Sequence, residues 1–346
     1  MAVGIKDIAT RLGLSANTVS NILNRGLAEK YSPETRSRVV KASQKLGYRP
    51  DRAAQNMRAG KSRMVGFAAV NASAGGRLDN YGILPFMVGL SHGLTEGGFH
   101  LTMVELSEMG ADGGLDLPRI LEERFFDAFV VHYGAPERLG EWARRSKTPV
   151  LWWDCRPGAK EASLYRDEAE VTRILMERLF ELGHRRIALL VGEEGWGRYQ
   201  RGEAVHYSFA ERLQTYTAFL ESRGLPVLPL AGYGIQELQR GLAESEATAV
   251  VSMGAVSESF FLAASRAGLS IPEDLSLASL DLEARIPARG FRLGGVPYDR
   301  FAAGQLAARL VLERLDAPGK PIPSHPIPGV CVDGDSIRAP RGRGAK

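Results

Sequence analysis

From Met64 onward the chain alternates short apolar runs with amphipathic stretches. M-V-G-F-A-A-V is followed by P-F-M-V-G-L-S-H-G-L-T-E-G-G-F, H-L-T-M-V-E-L by a further helical stretch, and F-D-A-F-V-V-H-Y by P-E-R-L-G-E-W-A-R-R-S and then P-V-L-W-W-D. Runs this short and this apolar predict strands buried on both faces, and the stretches between them predict helices that return the chain across a parallel sheet. The rhythm then restarts with R-R-I-A-L-L-V-G, a helix around F-A-E-R-L-Q-T-Y-T-A-F-L-E-S-R-G, the strand A-T-A-V-V-S-M, the helix S-E-S-F-F-L-A-A-S-R-A-G and the strand L-S-L-A-S-L-D. Residues 64–337 are therefore expected to form an α/β core of two doubly wound parallel-sheet lobes, with a ligand crevice at the carboxyl ends of the strands.

The first 48 residues have a different period. Ile5, Ile8, Ala9 and Leu12 share one face of a short helix that Gly13 can stop, and Ser15 can cap a second helix that turns Val19, Ile22 and Leu23 inward. That second helix leaves Ala16, Asn17, Thr18, Ser20 and Asn21 on its outer face. A third helix opens at Ser32-Pro33, packs Val39, Val40 and Leu46 on the other two, and ends at Gly47. Two short helices joined by a tight turn make an all-α helix-turn-helix head whose second helix can enter the major groove, where Asn17 and Asn21 offer the donor and acceptor that suit adenine. A three-helix bundle with no nucleic-acid role is the competing reading, but it leaves the polar face from Ser15 to Asn24 unexplained.

Charge adds a direction to this picture. The formal net charge of +4 divides into +9 over residues 1–63, from thirteen Lys and Arg against four Asp and Glu, and −5 over the rest. A basic head on an acidic body suits a protein that meets a polyanion at one end, although charge alone also allows a merely solvated basic surface. Residues 49–63, D-R-A-A-Q-N-M-R-A-G-K-S-R after Arg49-Pro50, are too polar and too short to hold a helix alone in water, so a hinge or linker is expected there. Residues 338–346 read as a basic tail without leucine heptads, which leaves a homodimer as the economical assembly. Cys155 and Cys331 are far apart, with no disulfide framework or cysteine zinc site. No run is long and apolar enough to span a membrane, and the N-terminus lacks a secretory signal, so a cytoplasmic protein is expected. P-loop, nucleophile-elbow, metalloprotease and dinucleotide fingerprints are missing and the six histidines show no metal spacing, so neither an enzyme nor a cofactor is expected.

The stretches G-I-K-D-I-A-T-R-L-G-L-S-A-N-T-V-S-N-I-L-N and Y-S-P-E-T-R-S-R-V-V-K-A-S-Q-K-L-G-Y-R-P closely resemble the head of the lactose- and purine-repressor (LacI/GalR) family. E-L-G-H-R-R-I-A-L-L, A-G-L-S-I-P-E-D-L-S and the late R-L-V-L-E-R-L extend the resemblance over nearly the whole chain. It implies a transcriptional regulator, usually a repressor, with a core like that of periplasmic sugar-binding proteins, controlled by a sugar or related metabolite. As a homodimer it would bind a pseudo-palindromic double-stranded DNA operator. A periplasmic-type sugar-binding protein without a DNA role is the alternative, disfavoured by the head and the missing signal.

By the same resemblance Ala16, Asn17 and Asn21 read bases, while Ser15, Thr18, Ser20 and Asn24 make phosphate or supporting contacts. Met57 stands where the family wedges a leucine into the minor groove from a hinge helix that folds on DNA; an ordinary linker is the other reading. Ser208, Arg212 and Asp281 fall on effector-contacting positions, with Asp154 and His132 as further candidates; each could instead be a surface ion pair or loop cap. Gly4 replaces the usual Thr, so any phosphate contact there would have to come from backbone N–H groups. Met253-Gly254 replaces an Asn-Asp pair, and a Gly/Asn-rich loop, S-A-G-G-R-L-D-N-Y-G, follows the first core strand. Trp152 and Trp153 could stack on a sugar or belong to the core.

Overall fold

The computed structural model of the chain describes residues 3–24, 27–50, 60–70, 83–106, 125–132, 142, 144–156, 162–232, 234–282 and 292–341. The chain divides into two units, Met1–Arg63 and Met64–Lys346. Met57, the side chain of Asn24, the S-A-G-G-R-L-D-N-Y-G loop and residues 342–346 lie outside the described residues.

In the first unit, α1 (Ile5–Leu12), α2 (Ala16–Asn24), a 3-10 turn (Ala28–Lys30) and α3 (Pro33–Lys45) close around Ile8, Ala9, Val19, Ile22 and Val39. Each helix start has a chemical cause. The Asp7 carboxylate accepts from the Gly4 N–H at 2.7 Å. That bond takes up the N–H of Gly4 itself, as in a capping box. Gly13 ends α1 in the left-handed region at φ +67°, which costs a residue without Cβ little. Ser15 Oγ accepts from the Thr18 N–H at 3.0 Å, and Ser32 Oγ caps α3 from Thr35 N–H at 3.2 Å with Pro33 behind it. Val40, expected inside, is exposed: the inner stripe of α3 runs through Val39, Ala42, Ser43 and Leu46, and position 40 turns away from it.

The second unit runs β1 (Met64–Val70), α4 (Ile83–Glu96), β2 (His100–Leu106), β3 (Ala128–His132), β4 (Val150–Trp153), β5 (Ser163–Arg166), α5 (Glu168–Glu181), β6 (Ile187–Val191), α6 (Glu193–Gln200) and α7 (Tyr207–Glu221). It continues with β7 (Leu228–Ala231), α8 (Ile235–Ser245), β8 (Ala249–Ser252), α9 (Glu258–Arg266), β9 (Ser276–Leu282), β10 (Gly294–Pro297), α10 (Arg300–Asp316) and β11 (His325–Ile327). Two parallel sheets result, ordered β2-β1-β3-β4-β5-β11 and β7-β6-β8-β9-β10. Each is a doubly wound lobe with its own apolar core.

The lobes are not two successive segments. The chain passes from the first to the second between β5 and α5, returns between β10 and α10, and crosses again after β11, where Val332 bridges to Gly295 of the second lobe. Helix α10 packs on α4 through small residues: a Cβ on Gly304 would lie 2.1 Å from the Phe86 carbonyl oxygen, so only glycine permits this approach. The second lobe also extends past residue 337, where the tail was expected to begin. His184 Nε2 donates to Arg338 O at 2.8 Å, and Arg338 N donates to Ser276 Oγ at 3.1 Å.

Candidate functional site

The outer face of α2 is small and polar, as its sequence requires. Ala16 and Asn17 are exposed, while Thr18, Ser20 and Asn21 are half-buried. Ser15 and Thr18 are joined through their hydroxyls at 2.9 Å as well as through the cap, so both hold the start of the helix. Asn21 Nδ2 donates to the hydroxyl of Tyr31 at 2.8 Å. On the third helix Arg38 reaches back to the Leu12 carbonyl at 3.3 Å, tying α3 to the end of α1. Exposed Lys6, Arg11, Lys30, Lys41, Lys45 and Arg49 give the head its positive surface.

In the core, the predicted effector residues gather where strand ends of the two lobes meet. His132 ends β3, Asp154 follows β4, Asp281 lies at the end of β9, and Ser208 and Arg212 are on α7. Asp154, from the first lobe, is held by residues of the second: Tyr207 Oη donates to its Oδ1 at 3.3 Å, and His206 Nε2 donates to its carbonyl at 3.0 Å. Because that carbonyl can only accept, the His206 proton sits on Nε2 and Nδ1 accepts from Ser208 Oγ at 2.7 Å. Burial, with Asp154 adding to it, pushes the Tyr207 hydroxyl well above its ordinary pKa, so it stays a donor. His132 Nε2 stands 4.0 Å from Asp154 Oδ2, and burial lowers its pKa to about 4, leaving a neutral ring at pH 7.

Arg212 and Asp281 do not pair with one another. Both oxygens of Glu168 accept from Arg212, through Nε and Nη2 at 2.7 Å each, and Nη1 donates to the carbonyl of Met253. Burial works against the Arg212 charge, and the Glu168 carboxylate outweighs it. Asp281 Oδ2 accepts from Arg300 at 2.6 Å. Burial would raise the Asp281 pKa, but Arg300 and Arg212 overcome that and hold it below the usual carboxylate value. Between the two pairs lies Arg166, which donates to the carbonyls of Leu280 and Val296 and stands 4.0 Å from Glu168 and 3.9 Å from Asp281. The chain Arg300–Asp281–Arg166–Glu168–Arg212 thus threads two of the three crossings. Nearby, Arg156 bridges the lobes with a two-pronged bond to Glu211 at 2.5 and 2.6 Å.

Sequence reasoning missed Arg166, Glu168, Arg300, His206 and Tyr207. All lie in or just beside segments where the chain crosses or caps a helix, and charges next to crossovers were the signal on offer. The tryptophans are core: Trp153 is buried, stacks on Phe86 at 3.6 Å and donates to Tyr298 Oη at 3.0 Å, while Trp152 packs on the opposite face of the sheet. Among the described residues no group of three metal-ligating side chains occurs, and no helix is long and apolar enough to cross a membrane.

A helix-turn-helix head and a two-lobed core whose strand ends bring polar side chains of both lobes together define a DNA-binding transcriptional regulator rather than an enzyme. Residues 4–51 match the family of bacterial regulatory proteins of the lacI type, and residues 176–337 match the periplasmic binding protein-like domain. The chain thus carries a helix-turn-helix domain of the lacI type and a periplasmic-binding-protein-like domain. It is 24% identical over 350 residues to the transcriptional repressor MelR of Bacillus subtilis (strain 168), covering 93% of this chain and 94% of that one. The lac repressor dimer bound to operator and the anti-inducer ONPF shares its fold at a TM-score of 0.77 and 19% identity, over 98% of this chain and 100% of that chain. The regulator CelR in complex with cellobiose does so at 0.60 and 21%, over 97% and 100%.

Proposed function

We propose that this regulator is a cytoplasmic homodimeric repressor whose fit to a pseudo-palindromic operator is set by a small polyhydroxylated effector bound between the lobes. The observation that carries the proposal is the ring of polar side chains, contributed by both lobes, that bridges them at their strand ends. A ligand exchanging bonds with Asp154, Asp281, His132 and Ser208 changes how the lobes are held, and it acts only as far as it binds one arrangement better than the other. Arg212 supports the ligand through Glu168 and the N–H groups those bonds leave over. Three buried or largely buried guanidiniums, Arg166, Arg212 and Arg300, face three carboxylates, Glu168, Asp281 and Asp154, and His132 is neutral. Such a balanced set favours an uncharged polyol over a sugar acid or phosphate.

On DNA, Ala16, Asn17 and Asn21 read base edges; Ser15, Thr18, Ser20 and Asn24 set the helix on the backbone; and Met57 wedges the minor groove at the centre. For the dimer, α4 offers Leu84 at 66% and Val88 at 50% exposure, one turn apart, with Met103 exposed on edge strand β2. Selection of genomic fragments by the purified protein tests the reading, followed by titration of the winning site at two salt concentrations with and without neutral sugars. A pseudo-palindrome preferred strongly over random DNA, with affinity changed by a sugar, is the expected result. Weak binding indifferent to sequence and unaffected by sugars would overturn it.

A further inference from the structure

We infer that Tyr199 is a specificity-determining residue of the effector site: with Trp196 and Phe209 it forms an aromatic rim beside the polar set between the lobes, and its exposed ring stacks on the second ring of a disaccharide. The inference rests on the proposal above that a neutral sugar binds between the lobes. A sugar ring carries hydroxyls at its edge and C–H groups on its faces, so a site that takes one pairs polar side chains with an aromatic face. Trp152 and Trp153, the other candidates for such a face, belong to the core of the first lobe.

The rim is placed by the chain on either side of it. Helix α6 leaves the carboxyl end of β6, and the segment after it ends at His206, whose Nε2 donates to the Asp154 carbonyl of the first lobe at 3.0 Å. Both ends of the segment therefore lie at the ligand-binding end of the second sheet. The helix itself, E-E-G-W-G-R-Y-Q, holds two glycines in eight residues, which weakens it. Gly195 has a reason to be there: a Cβ on it would lie 2.9 Å from the Phe209 ring, so glycine lets α6 close on α7. Trp196 and Phe209 pack against the apolar core of the second lobe, and the Tyr199 ring lies 6.0 Å from each of theirs, nearly parallel to Trp196. Tyr199 itself is 47% exposed and takes no part in that core. Phe209 directly follows Ser208, whose Oγ bonds to His206 Nδ1 at 2.7 Å, so the aromatic stack begins one residue from the polar set. Flanking Tyr199 in the chain, Arg201 and Arg198 hold Glu203 at 2.5 and 3.7 Å, and these exposed groups offer donors and acceptors to hydroxyls at the edge of a ring.

The test is isothermal titration calorimetry of the full-length protein, as wild type, Tyr199→Ala and Tyr199→Phe, with cellobiose, maltose, lactose and melibiose and with glucose and galactose. One of the disaccharides is expected to bind the wild type more tightly than either of its constituent sugars. Tyr199→Ala should weaken that disaccharide by about three- to tenfold, the effect of one aromatic stack, and leave the monosaccharides unchanged. Tyr199→Phe keeps the face of the ring and should keep the affinity. A circular dichroism melt checks the fold, and because Tyr199 is exposed neither variant should move it. The inference fails if monosaccharides bind as tightly as disaccharides, or if Tyr199→Ala weakens both kinds alike, which marks a general effect on the lobe. A loss in Tyr199→Phe equal to that in Tyr199→Ala assigns the effect to the hydroxyl and also overturns the stacking. Disaccharide binding that Tyr199→Ala leaves untouched overturns the rim alone, whereas a wild type that binds none of these sugars overturns the reading of the site between the lobes as well.

Discussion

Replacing Glu168 by Gln is the sharpest probe of the charge chain between the lobes. Glu168 is buried, gives both oxygens to Arg212 at 2.7 Å and stands 4.0 Å from Arg166. Gln keeps the shape and one acceptor, but it leaves buried Arg212 without its carboxylate and buried Arg166 with only Asp281, which Arg300 already engages. Removing one partner of a buried pair costs about 3–5 kcal/mol, because the remaining charge stays desolvated. The retained acceptor places Glu168→Gln near the lower end. For a domain of this size, roughly 3 kcal/mol corresponds to a fall of about 6–10 °C in melting temperature. Thermal unfolding followed by circular dichroism at pH 7 measures it, and the loss should persist in high salt, which screens buried pairs poorly. The double variant Glu168→Leu with Arg212→Met removes both charges together and should recover most of the loss. A melting temperature unchanged in Glu168→Gln, or a double variant as unstable as the single one, would refute the argument that an unpaired charge is what costs.

Three further outcomes follow from other parts of the structure. His132 takes up its proton near pH 4 in the folded protein instead of 6.5, so the stability it supports is complete above pH 6.5 and drains away as pH falls toward 4; His132→Asn should flatten the melting-temperature profile across that window. Gly304→Ala places a methyl group 2.1 Å from the Phe86 carbonyl and should destabilise the core by roughly 1–3 kcal/mol in a denaturant titration, although alanine is the better helix former. Replacing Leu84 and Val88 together by Glu should shift the protein to monomer in sedimentation velocity and weaken operator binding; an unchanged dimer would move the interface elsewhere.

The strands that announced themselves were those buried on both faces, such as A-F-V-V-H and I-A-L-L-V, where a near-continuous apolar run leaves no other reading. S-L-Y-R, L-P-L-A, G-G-V-P and H-P-I gave no such signal: they are three or four residues long, mix in Pro, Gly or charge, and several lie at sheet edges. Missing β10 and β11 hid the interleaved course of the chain, since both lie beside crossings. The site was legible in part for a similar reason. Asp154 and Asp281 follow recognisable strands, whereas the role of Glu168 depends on Arg212, forty-four positions away, and no local pattern encodes that pairing. The resemblance could point to Arg212, but only the fold reveals the carboxylate that takes up its Nε and one Nη2 N–H.

The three crossings bear on how this gene can change. The head is one uninterrupted stretch, so a single recombination event near codon 63 could exchange it for another and give the same sensor a new address on the chromosome. Neither lobe can be exchanged in this way, because each is assembled from separated pieces of the message. A premature stop after residue 320 would remove the strand β11 that edges the first lobe and also the segment that seals the second around His184 and Ser276. The two lobes are thus inherited as one object, and new ligand preferences have to arise by substitution at the crevice rather than by trading halves.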